Sequence, residues 1–262
     1  GTARLYSDGG NITISGDAEL SAEGNGGNGY FDAPTGGGGA GLGGTALLTV
    51  GTGALLGNNG QITVAGLVDA NADAIGVAGF TAGTATGGLT AIVARQGTLD
   101  LNQVFATSNA TGGEGISGGA GGLAKGGTIE IFAHNAVEGG SMLIANALTA
   151  QAMARGGDAG NIFDPNVPGA AGGAAEGGKI SIFGSAGNGR IDIETLEASA
   201  EATGGTGGTG VFDLGGIGGL GTGGAVQLGV ASGIDTGTVN NGSARFGTIT
   251  AKASGFGGTG GS

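Results

Sequence analysis

The chain has 262 residues, of which 70 are glycine, 3 are proline and none is cysteine, and its formal net charge is −12. Glycine at this level without a strict triplet period excludes collagen, and the absence of cysteine excludes a disulfide framework and a thiolate metal site. The eight basic residues are dispersed along the chain, so no cationic stripe exists to neutralise phosphates, and nucleic acid is not an expected partner.

The rest of the composition favours an ordered chain over a disordered one. Hydrophobic residues make up 39% of the chain, charged residues only 11%, and the β-branched residues fall in alternating blocks. The uncharged stretch 36–68 is interrupted by glycines and by polar residues such as Gln61, so it predicts no membrane-spanning segment. Because the chain starts at Gly1 and shows no signal peptide, we expect a processed product or part of a longer protein.

An internal repeat is punctuated by a Gly-Gly pair. Each of these pairs precedes an alternating apolar run: Gly9-Gly10, Gly43-Gly44, Gly87-Gly88, Gly126-Gly127, Gly177-Gly178 and Gly223-Gly224. The second glycines are 34, 44, 39, 51 and 46 residues apart, which is typical of a stacked array. We therefore predict one repeat domain over residues 1–262, with units at approximately 11–44, 45–88, 89–127, 128–178, 179–224 and 225–262.

The clearest unit predicts three short strands and a loop. The strands are Thr128–His134, Ser141–Ile144 and Leu148–Ala154, and a Gly-rich excursion follows over 156–178. This plan fits one rung of a parallel β-helix, so we predict an all-β solenoid of about six rungs of ~34–51 residues with long Gly-rich loops. In such a stack Ile129 lies on Ile180, and Leu148 lies on Leu196.

The third strand of each unit carries small residues on one face. Leu148 precedes Ala150, Ala152 and Ala154, and Leu196 precedes alanines with the same spacing. Alanine is a poor strand former, so its regular use predicts a thin interface that another backbone approaches closely. The Gly-rich excursion is the expected partner, and one possibility for its structure is extended, polyproline-II-like packing of adjacent arms.

Three aspartates in the loops are the candidate metal ligands. Asp32, Asp164 and Asp213 each follow a phenylalanine within a Gly-rich excursion. They are calcium candidates if they align across rungs, although capping of a turn is the favoured interpretation. No other cofactor is expected.

Neither a catalytic nor a nucleotide-binding motif is recognisable. The single histidine, His134, ends a strand without the spacing of a catalytic triad, and no Gly-Gly pair continues into Lys-Ser or Lys-Thr. We therefore expect no enzymatic activity and assign no catalytic residue.

The repeat resembles the passenger regions of filamentous haemagglutinin-like proteins and autotransporter adhesins. The resemblance lies in the order of a Gly-Gly pair, Ile-x-Ile strands, a Leu-x-Ala-x-Ala-x-Ala strand and a Gly-rich loop, and is best in residues 128–178 and 179–224. The Gly-rich insertions are longer here. The resemblance implies a right-handed parallel β-helix that is secreted to the surface of a Gram-negative bacterium.

Two functional hypotheses follow. The first is a structural fibre of the cell surface or extracellular space, in adhesion, biofilm or surface coating, which associates end to end or continues in a longer chain. The alternative is a module that binds host or matrix glycans, or ice. Ice binding predicts regular Thr-x-Thr ladders, and only isolated pairs such as Thr248 and Thr250 occur.

Overall fold

The computed structural model describes residues 1–262 except 28–35, 52–59, 135–140, 163–166, 186–188, 212–213, 231 and 236–237, and it gives no side-chain burial for 232–241. Every regular element in the described part of the chain is a β-strand. Strands from successive turns pair in parallel and in register, which confirms the predicted parallel β-solenoid.

The first wall of the solenoid is a sheet of six parallel strands. Its strands are Thr2–Ser7, Thr45–Val50, Leu89–Ala94, Thr128–Ala133, Lys179–Gly184 and Ala225–Val230. Alternate residues of each inner strand point into the core, and Ile129 lies on Ile180 as predicted. At two of the turns that connect this wall to the next, Gly51 and Gly97 adopt φ values of 74° and 110°, which L side chains rarely adopt.

The second wall is a sheet of seven strands. Its strands are Asn11–Ile14 and Ala18–Ser21 in the first turn, then Gly60–Asn71, Gly97–Thr107, Ser141–Gln151, Gly189–Ser199 and Ser243–Lys252. Here the prediction of two separate strands was wrong, because Ser141–Gln151 is continuous. The inward alternation of Leu143 and Ala145 resumes at Leu148 with its phase shifted by one residue, so the strand turns a corner without ending.

Four smaller sheets complete the structure. The outgoing short sheet contains Gly24–Asn25, Ala74–Ile75, Ala110–Thr111, Ala154–Arg155, Ala202–Thr203 and Gly255–Phe256; the returning short sheet contains Gly41–Leu42, Ala85–Thr86, Ala124–Lys125, Ala175–Glu176 and Gly221–Thr222. Gly79–Thr81 pairs with Gly115–Ala120, and Ser232–Asp235 forms an antiparallel hairpin with Thr238–Asn241. The chain therefore leaves each turn through the outgoing short sheet and comes back through the returning one.

The core becomes thinner from the walls toward the short sheets. Between the two walls lie stacked isoleucines and leucines such as Ile182 and Leu196, which are fully buried. Between the two short sheets lies only a ladder of alanines, and it comprises Ala74, Ala85, Ala110, Ala124, Ala154, Ala175 and Ala202. The prediction of a thin interface is therefore correct for the last alanine of the series, such as Ala154, and wrong for Ala150 and Ala152, which lie in the main core.

A narrow neck separates these two parts of the core. There the second glycine of the pair, in every turn after the first strand of the first wall, donates its N–H to the carbonyl of the residue that follows a second-wall strand, as Gly178 does to Ala152 at 2.7 Å and Gly224 to Ala200 at 2.8 Å. A Cβ on Gly178 would lie 2.9 Å from the Cβ of Ala152. The Gly-Gly pair is therefore the residue pair that lets the outgoing and returning chains meet. Ala150 and Ala198, in contrast, lie in the main core.

Candidate interaction surfaces

Beyond the short sheets, the Gly-rich segments form arms that hydrogen-bond with a period of three residues. In the outgoing arm of the fourth turn, the N–H groups of Gly156, Ala159 and Ile162 donate to carbonyls of the next turn, at 2.9 Å each. The N–H groups of Gly157 and Gly160 point instead across to the returning arm of the preceding turn, also at 2.9 Å. Three residues per turn is the period of the polyproline II helix, so the extended packing considered from the sequence is present.

The outgoing and returning arms together form a two-layer slab, which we call the glycine wing. Its layers are joined by a chain of amide hydrogen bonds that zigzags along the solenoid axis. In this chain Gly157 donates to Gly122, Gly173 to Gly157, Gly205 to Gly173 and Gly219 to Gly205, at 2.8–2.9 Å. The wing is therefore held together by backbone groups, and no side chain separates its two layers at these positions.

The close approach of the two layers explains why the arms contain so much glycine. A Cβ on Gly156 would lie 1.9 Å from the carbonyl oxygen of Gly173 in the returning arm, and a Cβ on Gly204 would lie 2.0 Å from that of Gly219. These glycines have no positive φ, so space alone requires them. In the motif Gly-Gly-x, the third residue is the one that faces solvent.

The outer face of the outgoing arms is polar. The outward positions of the last three turns include Asp158, Asn161, Thr206, Thr209 and Thr259. Their side chains bond from turn to turn, since Asp158 Oδ1 accepts the N–H of Thr206 at 2.7 Å and Asn161 Oδ1 accepts the N–H of Thr209 at 3.1 Å. The polar side chains thus satisfy amides that would otherwise point away from the wing.

An open groove of about 780 Å³ runs along this polar face, where the wing meets the second wall. One side is a ladder in which the N–H of Asn109 donates to Asp73 Oδ1 at 2.6 Å and the N–H of Met153 donates to Asn109 Oδ1 at 2.9 Å. The floor includes Arg155 and the half-exposed ring of Phe256. The groove therefore offers hydrogen-bonding groups at intervals of one turn and an aromatic ring near its end.

The outer face of the returning arms, which we call the returning face, is apolar in the third to fifth turns and carries Thr81 and Thr84 in the second. In the fifth turn Leu214, Ile217 and Leu220 are three residues apart and are 44%, 75% and 69% exposed. The period of the arm places them in one row. Further along the face Leu123 is also exposed. The two faces of the wing thus differ in chemistry.

An acidic cluster lies on the outside of the second wall in the first two turns. Asp69 pairs in register with Glu19, and Asp73 and Glu23 are near. Burial, and then the charges of Glu19, Asp73 and Glu23, raise the pKa of Asp69. Its Oδ1 atom is buried without a hydrogen-bond partner. Among the described residues, no group of three or more His, Cys, Asp or Glu side chains is arranged to hold a metal ion. The charges of the three neighbouring carboxylates disfavour the ionised form of Asp69.

The sequence-predicted site residues have different outcomes. Asp32, Asp164 and Asp213 lie outside the described residues, so their assignment to calcium stays a prediction. His134 is described, and its Nδ1 lies 3.2 Å from Ser185 Oγ of the next turn. Thr248 and Thr250 lie on the last strand of the second wall, beside Thr195 and Glu197, so they do not extend into a second Thr-x-Thr row.

The two faces of the wing were not predicted from the sequence. The signal was present in the third residue of each Gly-Gly-x triplet, which is threonine in 204–209 and a large apolar residue in 215–220. If the period of three in the arm is not known, these residues look like scattered interruptions of a glycine run.

Comparison of the chain with family models, with curated proteins and with solved structures gave no match. Within the described ranges, no helix is long and apolar enough to cross a membrane.

Proposed function

We propose that the chain is a structural element of a bacterial surface or extracellular fibre. The observation that carries this proposal is the parallel pairing of the strands in both walls and both short sheets from turn to turn along one axis, with many amides of the wing bonded in the same direction. Such a stack has no natural limit to its length. Its function is to extend a rigid, protease-resistant rod that serves adhesion, biofilm or surface coating.

The last described turn offers a surface on which stacking can continue. Its inward-facing Val226, Leu228 and Phe246 are only partly buried against the core, and Ile249 is 47% exposed. The strand Ala225–Val230 pairs on one side only. An open sheet edge with apolar residues beside it is a template for a further parallel strand, from this chain's continuation or from another copy.

Electron cryomicroscopy tests this proposal. We expect fibres with an axial repeat of about 4.8 Å, the spacing of paired strands. Ile249→Lys should shorten or abolish assembly of the purified chain because it places a charge at the open end of the core. Thr250→Lys is the matched control, since Thr250 is the next residue and faces outward. Discrete particles both from cells and from the purified wild-type chain would overturn the proposal.

A second candidate function is glycan binding in the groove of the polar face. It is favoured over ice binding because the groove combines Asp73, Asn109 and Arg155 with the ring of Phe256, and a sugar needs both hydrogen bonds and an apolar platform. A glycan array with Phe256→Ala tests it, and Phe80→Ala, which removes a 40% exposed ring outside the groove, is the control. Equal loss of binding in both variants, or no binding by the wild type, would remove this candidate.

A further inference from the structure

We propose that the returning face of the wing binds the same face of a second copy of this chain, so that solenoids pair side by side. This interaction goes beyond the proposed function, which concerns only growth along the axis. It uses a different surface, so either can hold without the other.

A row of large apolar side chains is exposed on the returning face. Leu214, Ile217 and Leu220 occupy the three outward positions of one arm, and Ile217 is 75% exposed. Single exposed apolar residues are ordinary on protein surfaces, but a contiguous apolar patch marks an interaction site. Nothing in the packing of the wing requires large residues here, because these side chains point away from the layer contact.

The returning face is complementary to itself. The N–H groups of Gly172 and Ala175 donate to the carbonyls of Ile217 and Leu220 at 3.0 and 2.8 Å, which places Ala171 and Ala174 beside that row. A row of large side chains thus lies next to a row of methyl groups, about 4.8 Å away. With a two-fold axis between the two rows, the large side chains of each copy pack on the alanine row of the other copy. This is the arrangement that an isologous interface requires.

The returning face carries no net charge. Among the described residues of the returning arms and the returning short sheet, the only charged side chains are Lys125 and Glu176, and they pair with Nζ and Oε1 3.1 Å apart. The whole chain carries −12, so two copies repel each other over most orientations, whereas this face contributes no net charge. An anionic membrane surface would repel the chain as well, which favours a second copy as the occupant.

The returning face is large enough for a specific interface. About nine residues of extended arm, at about 3.1 Å per residue, span roughly 28 Å, and four rows at about 4.8 Å span roughly 19 Å. The face then covers roughly 500 Å² per copy, or roughly 1,000 Å² in total, which is the minimum for a specific interface. We therefore expect a reversible dimer.

Sedimentation equilibrium over a wide range of protein concentration tests the proposal. All samples carry Ile249→Lys, which suppresses stacking at the end, so that failure of lateral pairing and failure of fibre growth are separate results. We expect a monomer–dimer equilibrium that Ile217→Asp with Leu220→Asp weakens on the order of 100-fold, because two carboxylates would be buried. Thr206→Asp with Thr259→Asp adds the same charge to the opposite face and should leave the equilibrium unchanged.

Circular dichroism of each variant shows whether it is folded; if the aspartate pair unfolds the chain, Ile217→Ala with Leu220→Ala replaces it and should still weaken pairing. A wild-type face that is monomeric at every concentration overturns the proposal, and so does equal weakening by both aspartate pairs. Another outcome is a protein that stays monomeric and floats with neutral phosphatidylcholine vesicles. If the Ile217 and Leu220 variants lose this flotation, the face binds lipid, and the proposal is overturned.

Discussion

The carbonyl oxygen of Gly157 occupies the space in which Gly205 would need a side chain: a Cβ there would lie only 1.9 Å from that oxygen. The N–H of Gly157 donates at the same time to Gly122 of the opposite layer at 2.9 Å. Each such glycine is thus both a spacer and a link in the hydrogen-bond chain, so a substitution affects both roles together.

Gly157→Ala should open the wing while the walls stay folded. Its Cβ would lie 1.8 Å from the carbonyl oxygen of Gly113 in the neighbouring outgoing arm and 2.9 Å from the amide nitrogen of Gly122 in the returning arm, and moving these arms apart breaks the amide chain at this turn. Overpacking costs about 1–3 kcal/mol and sometimes more. Hydrogen exchange measured by NMR should show lost protection at Gly122 and Gly205, with little change at Ile131.

The control is Gly257→Ala in the last outgoing arm. A Cβ there would be 3.8 Å from its nearest neighbour, so the exchange pattern should match that of the wild type. If both alanine variants lose protection to the same extent, the glycines are needed for their backbone freedom and not for the space that they leave.

Ala154→Leu should separate the two short sheets. Ala154 is buried in the alanine ladder between Ala110 and Ala202, where a larger side chain has no room. We expect a loss of about 1–3 kcal/mol in the free energy of unfolding, measured by urea denaturation. Thr111→Leu, at the exposed position of the neighbouring strand, should change it little; a tolerated Ala154→Leu would mean that the ladder is loosely packed.

Ile182→Ala should destabilise the walls strongly, because Ile182 is fully buried in the main core. Truncation at such a site costs about 2–5 kcal/mol. The adjacent Ser181 should behave differently, because its Oγ is buried without a hydrogen-bond partner. Ser181→Ala should therefore leave the free energy of unfolding unchanged or raise it. Thermal melts of the two variants that shift in the same direction would contradict this description of the core.

Asp69→Asn should stabilise the protein at pH 7. Burial and the charge of Glu19 raise the pKa of Asp69 above its ordinary value of 3.8, so the folded state binds the proton more tightly than the unfolded state. The stability linked to this proton is present below pH 3.8 and is lost as the pH rises through the folded-state pKa. The advantage of asparagine should therefore shrink on acidification.

Urea denaturation of the Asp69→Asn variant at pH 7 and at about pH 4 measures this difference. Glu114→Gln removes one negative charge from an exposed position on the wing and is the control for a general charge effect. An equal gain from both substitutions would show that net charge, and not the cluster around Asp69, determines the pH dependence.

The solenoid was predictable because its determinants are local. Alternation in Thr128–Ala133 and its repetition in Lys179–Gly184 specify both the strand and its register, since a slip of one residue would turn Ile180 outward. The corner within Ser141–Gln151 was missed because a strand that changes phase at Asn146 looks, in one sequence, like two strands with a break.

The wing was only partly predictable, since glycine carries no pattern of hydrophobicity. Its period of three becomes visible only when the carbonyls of a neighbouring arm are placed, as with Ala159 and Thr206. To predict the exposed apolar row at Ile217, one must also know which side of the arm faces solvent. The stacking of the turns determines this, and the Gly-Gly-x triplet alone does not.

A slab whose layers are joined mainly by backbone amides should also respond differently to temperature. Unfolding of the walls exposes hydrocarbon such as Ile182 and raises the heat capacity, whereas unfolding of the wing exposes mainly amides, which lower it. The stability curve of the wing should therefore be flat where that of the walls is strongly curved. The chain of bonds through Gly157 and Gly205 would then lose little strength in the cold, where hydrophobic contacts weaken.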